Sequence, residues 1–359
     1  MRLRTKLTVL LALLVGALSW AALFFPLSPF YSRNDPSSVP LGPWLTPLSE
    51  GKGLLRVEGP ERPLGVVGGA GGAWALDQGR KTDLGTEYEV RFSGSDCENL
   101  QLLDGDKQLE VAGAALCSVP RRMVFLADYQ NGGEFSAGKL EAVLAFGPDL
   151  FLFGGDAVRY PADRRDWHDY VSTLGPLLSR VPLLAAAGNH DFRPLQPISD
   201  ELCNWYLGGA CQGPQVYERG PLSVLLLPWG LPLDELLSQV EALRGPLKIL
   251  VLHQAPLSDG FHGSAYDERL VPLLAGKVQL VLSGHNHGYE RFFVGGVHFV
   301  TVSSLAAERY RQLPGLTRGQ VKADCCADGI FLEVLGGTLQ VQARNLDSGA
   351  QVDDFTIDF

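Results

Sequence analysis

The sequence predicts an α/β C-terminal half, with parallel strand pairs and intervening helices, behind a β-rich N-terminal segment. Three observations carry that reading. Short apolar runs recur through the second half, and each ends in a loop bearing Asp, Asn or His. Helix-like stretches, roughly Asp166 to Ser179 and Leu233 to Arg244, lie between some of them. Strands alternating with helices favour a sheet with parallel pairs. Before that half, Thr86-Glu87-Tyr88-Glu89-Val90-Arg91-Phe92 alternates with period two, the pattern of a half-buried strand.

The N-terminus reads as a targeting segment, residues 1–30. Arg2, Arg4 and Lys6 precede Leu7 to Pro26, which carries no charge. A basic flank before an apolar core orients the bulk of the chain outside the cytoplasm. Ala17-Leu18-Ser19 offers small residues for cleavage, whereas the run through Phe25 is long enough to span a bilayer. We expect an extracytoplasmic protein, secreted or membrane-anchored. Residues 31–41 read as a linker, residues 42–120 as a β-rich domain, and residues 121–359 as the catalytic domain. Within the β-rich part, Leu103-Asp104-Gly105-Asp106 marks a turn, and the Gly-rich stretch 65–72 lacks the Lys-Ser/Thr of a phosphate loop.

Five loops form the chemical core. They follow Met123–Ala127, Leu150–Phe153, Pro182–Ala187, Lys248–Leu252 and Val278–Leu282. They bring Asp128, then Gly155-Asp156, then Gly188-Asn189-His190-Asp191, then His253, then Gly284-His285-Asn286-His287-Gly288-Tyr289-Glu290-Arg291. In open α/β sheets, ligands bind beyond the carboxyl ends of the strands, where all five loops belong. Taken singly, Asp128 fits a strand-end carboxylate, Gly155-Asp156 a turn, and His253 a partly buried histidine. Together, carboxylate, amide and imidazole donors suit zinc, iron or manganese. An Asp with two oxygens can bridge two ions about 3.5–4 Å apart. The absence of thiols from the set argues against a structural zinc site.

The chain of 359 residues is long enough for about two domains, with 46% hydrophobic and 19% charged residues. A net charge of −10 offers no basic surface for nucleic acid, so none is expected as a partner. Six cysteines in an oxidising compartment permit disulfides. Cys97 with Cys117 and Cys203 with Cys211 are the expected pairs, and adjacent Cys325-Cys326 are not expected to join each other. Trp205, Tyr206, Phe261, His262 and Tyr266 lie near the ligand segments, where cleft lining and core packing explain them equally.

From about Arg122 to Phe359 the chain resembles the calcineurin-like metallophosphoesterases, in particular their purple acid phosphatase-like branch. Gly-His-Asn-His-Gly-Tyr-Glu-Arg at 284–291 and Gly-Asn-His-Asp at 188–191 carry the resemblance most specifically. It extends to a closing segment from Gly329 to Phe355. The resemblance implies a metallophosphoesterase sandwich and a hydrolase using two divalent or mixed-valence ions of Fe, Zn or Mn. Asp128 and His287 would bind the first ion, Asp156 both, and Asn189, His253 and His285 the second. His190 would contact the phosphate and help protonate the leaving oxygen, while water held by the ions attacks phosphorus.

Two positions depart from the family pattern. Many relatives carry Asp-X-His in the first loop, where this chain reads Asp128-Tyr129-Gln130. The purple branch takes a Tyr ligand three residues after the bridging Asp, where this chain has Arg159, with Tyr160 one later. Either a one-residue bulge presents Tyr160 to the metal, or Arg159 faces the site and helps bind phosphate. A phosphomonoester is the expected substrate. A phosphodiesterase or nucleotidase is the alternative, and an inactive member acting as a binding protein is the alternative from another class.

Overall fold

The computed structural model describes residues 41–359 except 48–51, 60–63, 68–72, 77–79, 82–85, 94–99, 105–106, 112–117, 131–134, 194–195, 264–266 and 311–318. The apolar N-terminal run and Cys97 and Cys117 lie outside the described residues, as do the linker up to Pro40 and Tyr266. Among the described residues, no helix is long and apolar enough to cross a membrane.

Among the described residues, eight strands precede Arg122: β1 (Leu41–Pro47), β2 (Lys52–Gly59), β3 (Leu64–Val67), β4 (Ala73–Leu76), β5 (Arg80–Lys81), β6 (Thr86–Ser93), β7 (Leu100–Asp104) and β8 (Lys107–Val111). They form two antiparallel four-stranded sheets, ordered β1-β2-β6-β5 and β4-β3-β7-β8. The expected strand at Thr86 is β6, and β7 pairs with β8 with Asp104 opposite Lys107 in register, while Gly105 and Asp106 of the expected turn lie outside the described residues. Leu45, Leu55, Val57, Val66, Tyr88, Val90, Leu100, Leu102 and Val111 form their shared core.

The catalytic half then runs β9 (Arg122–Leu126), α1 (Ala137–Phe146), β10 (Leu150–Phe153), α2 (Arg164–Leu178), β11 (Leu183–Ala185) and α3 (Pro197–Tyr206). It continues with β12 (Gln215–Arg219), β13 (Leu222–Leu227), α4 (Leu233–Glu241), β14 (Leu247–Gln254), α5 (Asp267–Leu274) and β15 (Leu280–Gly284). It closes with β16 (Tyr289–Val294), β17 (Val297–Thr301), β18 (Gln320–Asp324), β19 (Gly329–Leu335), β20 (Thr338–Arg344) and β21 (Gln351–Asp358). One sheet is ordered β11-β10-β9-β19-β20-β21 and the other β12-β13-β14-β15-β17-β16-β18. Parallel pairing joins β9, β10 and β11 in the first and β13, β14, β15 and β17 in the second, with antiparallel strands completing both.

Side-chain alternation makes these sheets the middle of a layered sandwich. In β9, Met123 and Phe125 enter the core shared by the two sheets, while Val124 and Leu126 enter the core under α1 and α2. In β14, Ile249 and Val251 face the shared core, and Leu250 and Leu252 pack beneath α4 and α5. Burial on both faces explains why these strands read as continuous apolar runs.

The β-rich part packs against the catalytic half through aromatic rings. Trp44 of β1 stacks on Tyr206 at 5.6 Å, and Tyr206 stacks on Trp167 at 5.4 Å. Trp205 meets Trp44 edge-on at 6.0 Å. These contacts assign Trp205 and Tyr206 to packing rather than to the cleft. Buried Glu58 accepts hydrogen bonds from Tyr206 Oη at 2.6 Å and His168 Nε2 at 2.8 Å. Cys203 and Cys211 are joined as expected. Cys325 and Cys326 are also joined, against expectation. The turn between β18 and β19 holds the adjacent pair, with Ser303 Oγ donating to Cys325 O and Asn345 Nδ2 to Cys326 O, both at 2.8 Å.

Candidate metal centre

Among the described residues, Asp128, Gln130, Asp156, His285 and His287 are the non-glycine residues with left-handed backbone, at φ 58°, 46°, 59°, 69° and 50°. L-residues avoid this region, and Asp and His tolerate it better than most. Four of the five are residues expected to hold metal. The strands end abruptly here because the chain turns each ligand back across the sheet edge. Hydrogen bonds from Asp128 N to Gly155 O at 3.0 Å and Gln130 N to Asp156 O at 3.1 Å lock the first two loops together. Gly188 and Gly284 permit the tightest approaches. A Cβ on Gly188 would collide with the Asp156 carboxylate, and one on Gly284 with that of Asp128.

The site assembles Asp128, Asp156, Asn189, His253, His285 and His287. His253 Nε2 lies 3.3 Å from Asp156 Oδ2, 3.1 Å from Asn189 Oδ1 and 3.2 Å from His285 Nδ1. His287 Nε2 lies 3.4 Å from Asp128 Oδ1. His253, the last residue but one of β14, lies within a register irregularity relative to β15, between Val251 and Gln254. Its Nδ1–H donates to Gly154 O at 2.8 Å, and that of His287 to Glu308 O at 2.6 Å. These bonds direct both Nε2 atoms inward, as oriented metal ligands require.

Asp128 and Asp156 are 0% and 1% exposed, yet they face imidazoles and N–H groups in a site built from imidazoles. Buried carboxylates at such density need positive charge nearby. Burial opposes protonation of His253, but the Asp156 carboxylate outweighs it and pushes the imidazole up to about 9. Burial would raise Asp156, but the neighbouring His253 holds it below the ordinary carboxylate range. Burial and His253 push His285 down to about 3, leaving its ring neutral. A cation at this point would take the place of the His253 proton. Asp156, His253 and His285 already gather ligand atoms within 4.8 Å of one another. The donor set and its geometry therefore fit metal.

His190 stands at the rim. Its backbone N–H donates to Asp156 Oδ1 at 2.8 Å, and its Nδ1 lies 3.2 Å from Arg159 O. Donation from Nδ1 leaves Nε2 for a ligand. Arg159 and Tyr160 are both exposed, with the guanidinium 5.9 Å from the Tyr160 ring centroid. Tyr160 N donates to Asp166 Oδ2 at 2.9 Å, which ties this turn to the start of α2. Tyr129 turns into the core, its hydroxyl donating to Asp169 Oδ2 at 2.8 Å and lying 2.9 Å from Thr173 Oγ1.

Sequence reasoning left several supporting residues without a role. Buried Asp191 accepts from Asp156 N, Ala157 N and Gly188 N, each at 2.7 Å, fastening the second loop to the third. Glu290 accepts from Asp259 N at 2.9 Å and from Ser258 Oγ, holding the loop after β14. Asn286 Oδ1 accepts from His262 N at 3.0 Å, placing the His262 ring 4.6 Å from that of His285. Phe261, 76% exposed, and Tyr310, stacked on His287 at 5.0 Å, continue that wall. Tyr289 and Arg291 both bond Asp353 on β21. The Tyr-Glu-Arg run is thus a set of anchors, legible beforehand only as a motif.

Comparison with known proteins agrees with this geometry. Residues 122–289 match the family model described as calcineurin-like phosphoesterase. Among solved structures, the fold is similar to the purple acid phosphatase PPD1 from yellow lupin (Lupinus luteus) seeds. That match has a TM-score of 0.69 and 14% identity, covering 89% of this chain and 74% of that one. It is similar to PhoD, with a TM-score of 0.61 and 11% identity over 92% of both chains. It is also similar to GAP50, described as the anchor in the inner membrane complex of Plasmodium. There the TM-score is 0.50 and identity 13%, covering 67% of this chain and 90% of that one.

Proposed function

We propose that this chain, whose residues 122–289 match the calcineurin-like phosphoesterase family model, is a metal-dependent phosphoester hydrolase, and specifically a dinuclear phosphomonoesterase. The carrying observation is the convergence of Asp128, Asp156, Asn189, His253, His285 and His287 from five strand ends on one point. Asp128 and His287 would hold the first ion, Asp156 would be shared, and Asn189, His253 and His285 would hold the second. When bound, the ions activate water for attack and offset charge on the phosphoryl oxygens. The chain's own residues do the rest. Asp156 and Asp191 fix the loops that aim His190. His190 Nε2 meets the ester and, with the ring doubly protonated, passes its Nε2 proton to the departing alkoxide while Nδ1–H stays on Arg159 O. Arg159, exposed beside His190, offers a guanidinium fork to phosphate oxygens.

The test pairs a chromogenic phosphomonoester with a chromogenic diester, using purified protein supplied with Mn, Zn or Fe. Monoester turnover several-fold above diester turnover is the expected result. Equal or preferential diester hydrolysis would favour the diesterase reading, and no turnover by metal-loaded protein would favour a binding role. Because Tyr160 is 50% exposed whereas Asp128 and Asp156 are buried, the iron-loaded protein is expected to lack tyrosinate charge-transfer colour.

We also place the domain outside the cytoplasm, on the strength of the Arg2/Arg4/Lys6 flank and the uncharged run to Pro26. A reporter fused after Phe359 that works only in an extracytoplasmic compartment should be active. Activity from a cytoplasm-only reporter would reverse the assignment.

A further inference from the structure

We propose that Asp324, Cys325 and Cys326 form a redox-gated site for a thiophilic divalent cation, separate from the metal centre. The three residues stand at the turn between β18 and β19, with Cys325 exposed and Asp324 and Cys326 half-buried. A carboxylate oxygen and the two sulfurs lie within 4.8 Å of one another, in a gathering that shares no residue with Asp156, His253 and His285. The disulfide between such neighbours does little for stability. A cross-link acts chiefly by closing a loop in the unfolded chain, and a link between adjacent residues closes almost none. The Cys203–Cys211 link spans a sequence separation of 8, and Cys203 is buried. Exposed disulfides are the more easily reduced kind, so a reductant meets the Cys325–Cys326 pair first.

The turn does not owe its shape to the S–S bond. Cys326 N donates to Asp324 Oδ1 at 3.0 Å, and Ser303 N to Ala327 O at 2.8 Å. Ser303 Oγ holds Cys325 O and Asn345 Nδ2 holds Cys326 O. Asp324 is also fixed in the ladder opposite Tyr289. None of these bonds involves sulfur, so reduction releases two thiols into a frame that keeps the carboxylate beside them. An external dithiol performs that step. One of its thiolates attacks the Cys325 sulfur, the Cys325–Cys326 bond breaks, and its second thiolate then displaces Cys325. The dithiol leaves as a disulfide, and two electrons and two protons pass to Cys325 and Cys326. A cation then displaces both protons and meets two thiolates and one carboxylate. Thiolate, not disulfide, is the metal ligand, so oxidation shuts the site. Two sulfur donors select a soft or borderline ion such as Zn²⁺ over Mg²⁺, Ca²⁺ or Mn²⁺.

The full chain is reduced gently with a water-soluble phosphine, which leaves as its oxide, and is desalted without air. Cd²⁺ is the probe, followed by thiolate-to-cadmium charge-transfer absorption, which imidazole and carboxylate ligands do not give. We expect absorption that saturates at one Cd²⁺ per chain after reduction and is absent before it. The Cys325→Ser/Cys326→Ser double variant should lose it. Asp324→Asn should bind about 10-fold more weakly or worse, at least the cost of losing a supporting group. Thermal melting shows whether each variant folds. Alkylation of the reduced, unaltered chain, mapped to Cys325 and Cys326, should abolish the absorption with no substitution at all. A pair that resists the phosphine, no absorption once both thiols are free, equal absorption in the folded double variant or the alkylated chain, or unchanged affinity in folded Asp324→Asn would each overturn the inference. Phosphoester turnover enters none of these measurements, so their outcome is independent of the hydrolase reading.

Discussion

Asp156→Asn should lose at least one ion and most of the phosphoesterase activity. Asp156 is 1% exposed, and both its oxygens are engaged: Oδ1 by His190 N at 2.8 Å and Oδ2 by Gln130 Nε2 at 2.7 Å. An asparagine has one acceptor and one donor at these places. In one orientation its NH2 faces the His190 N–H. In the other it faces the Gln130 amide, which must then turn. The backbone clash would cost about 1–3 kcal/mol as an unsatisfied buried group. The larger effect is electrostatic, because the charge lost is the one that the proposed dinuclear reading puts between two cations. Metal counting and monoester turnover on the same preparation check this. Two ions per chain with near-normal turnover would remove Asp156 from its shared position.

His190→Ala should leave metal content intact and lower turnover by about 10²–10⁴-fold, the range for a positioned acid or base. The imidazole reaches the site from the turn that carries Asn189, but its Nδ1 faces Arg159 O rather than the ligand cluster. Losing the ring leaves the His190 N–H on Asp156, since that bond belongs to the backbone. The deficit should shrink for esters whose leaving groups need little protonation. A uniform deficit across leaving groups would mean that His190 positions phosphate without transferring a proton. Loss of metal would contradict either role.

The sequence made the ligand residues legible because each follows a strand buried on both faces, which leaves a continuous apolar run as its signature. The β6 strand and the β7–β8 hairpin were legible from alternation and turn chemistry. Asp191 was not, because its work is done on three backbone N–H groups of neighbouring loops, and no spacing rule records which amides a fold brings together. Trp44 and Tyr206 are far apart in the chain, so only the packed structure shows that they stack. Arg159 and Tyr160 posed a one-residue ambiguity. The bond from Tyr160 N to Asp166 shows how that turn is fixed, a fact that local spacing does not contain. The joined Cys325–Cys326 pair escaped the reasoning because neighbouring thiols were judged by chain geometry alone, without the turn after β18 that holds them.

The left-handed residues at the strand ends also bear on what the domain would lose or gain if freed from its chemistry. Each such conformation costs about 1–3 kcal/mol when a side chain is present, and glycine avoids most of that cost. Asp128 and Asp156 add the burden of buried charge. Selection for heat resistance alone should therefore erode these positions first, towards glycine or uncharged residues, and produce sturdier proteins that turn over nothing. A descendant that kept the fold but gave up hydrolysis would carry its history there, in a quiet sheet edge where the ligands once stood.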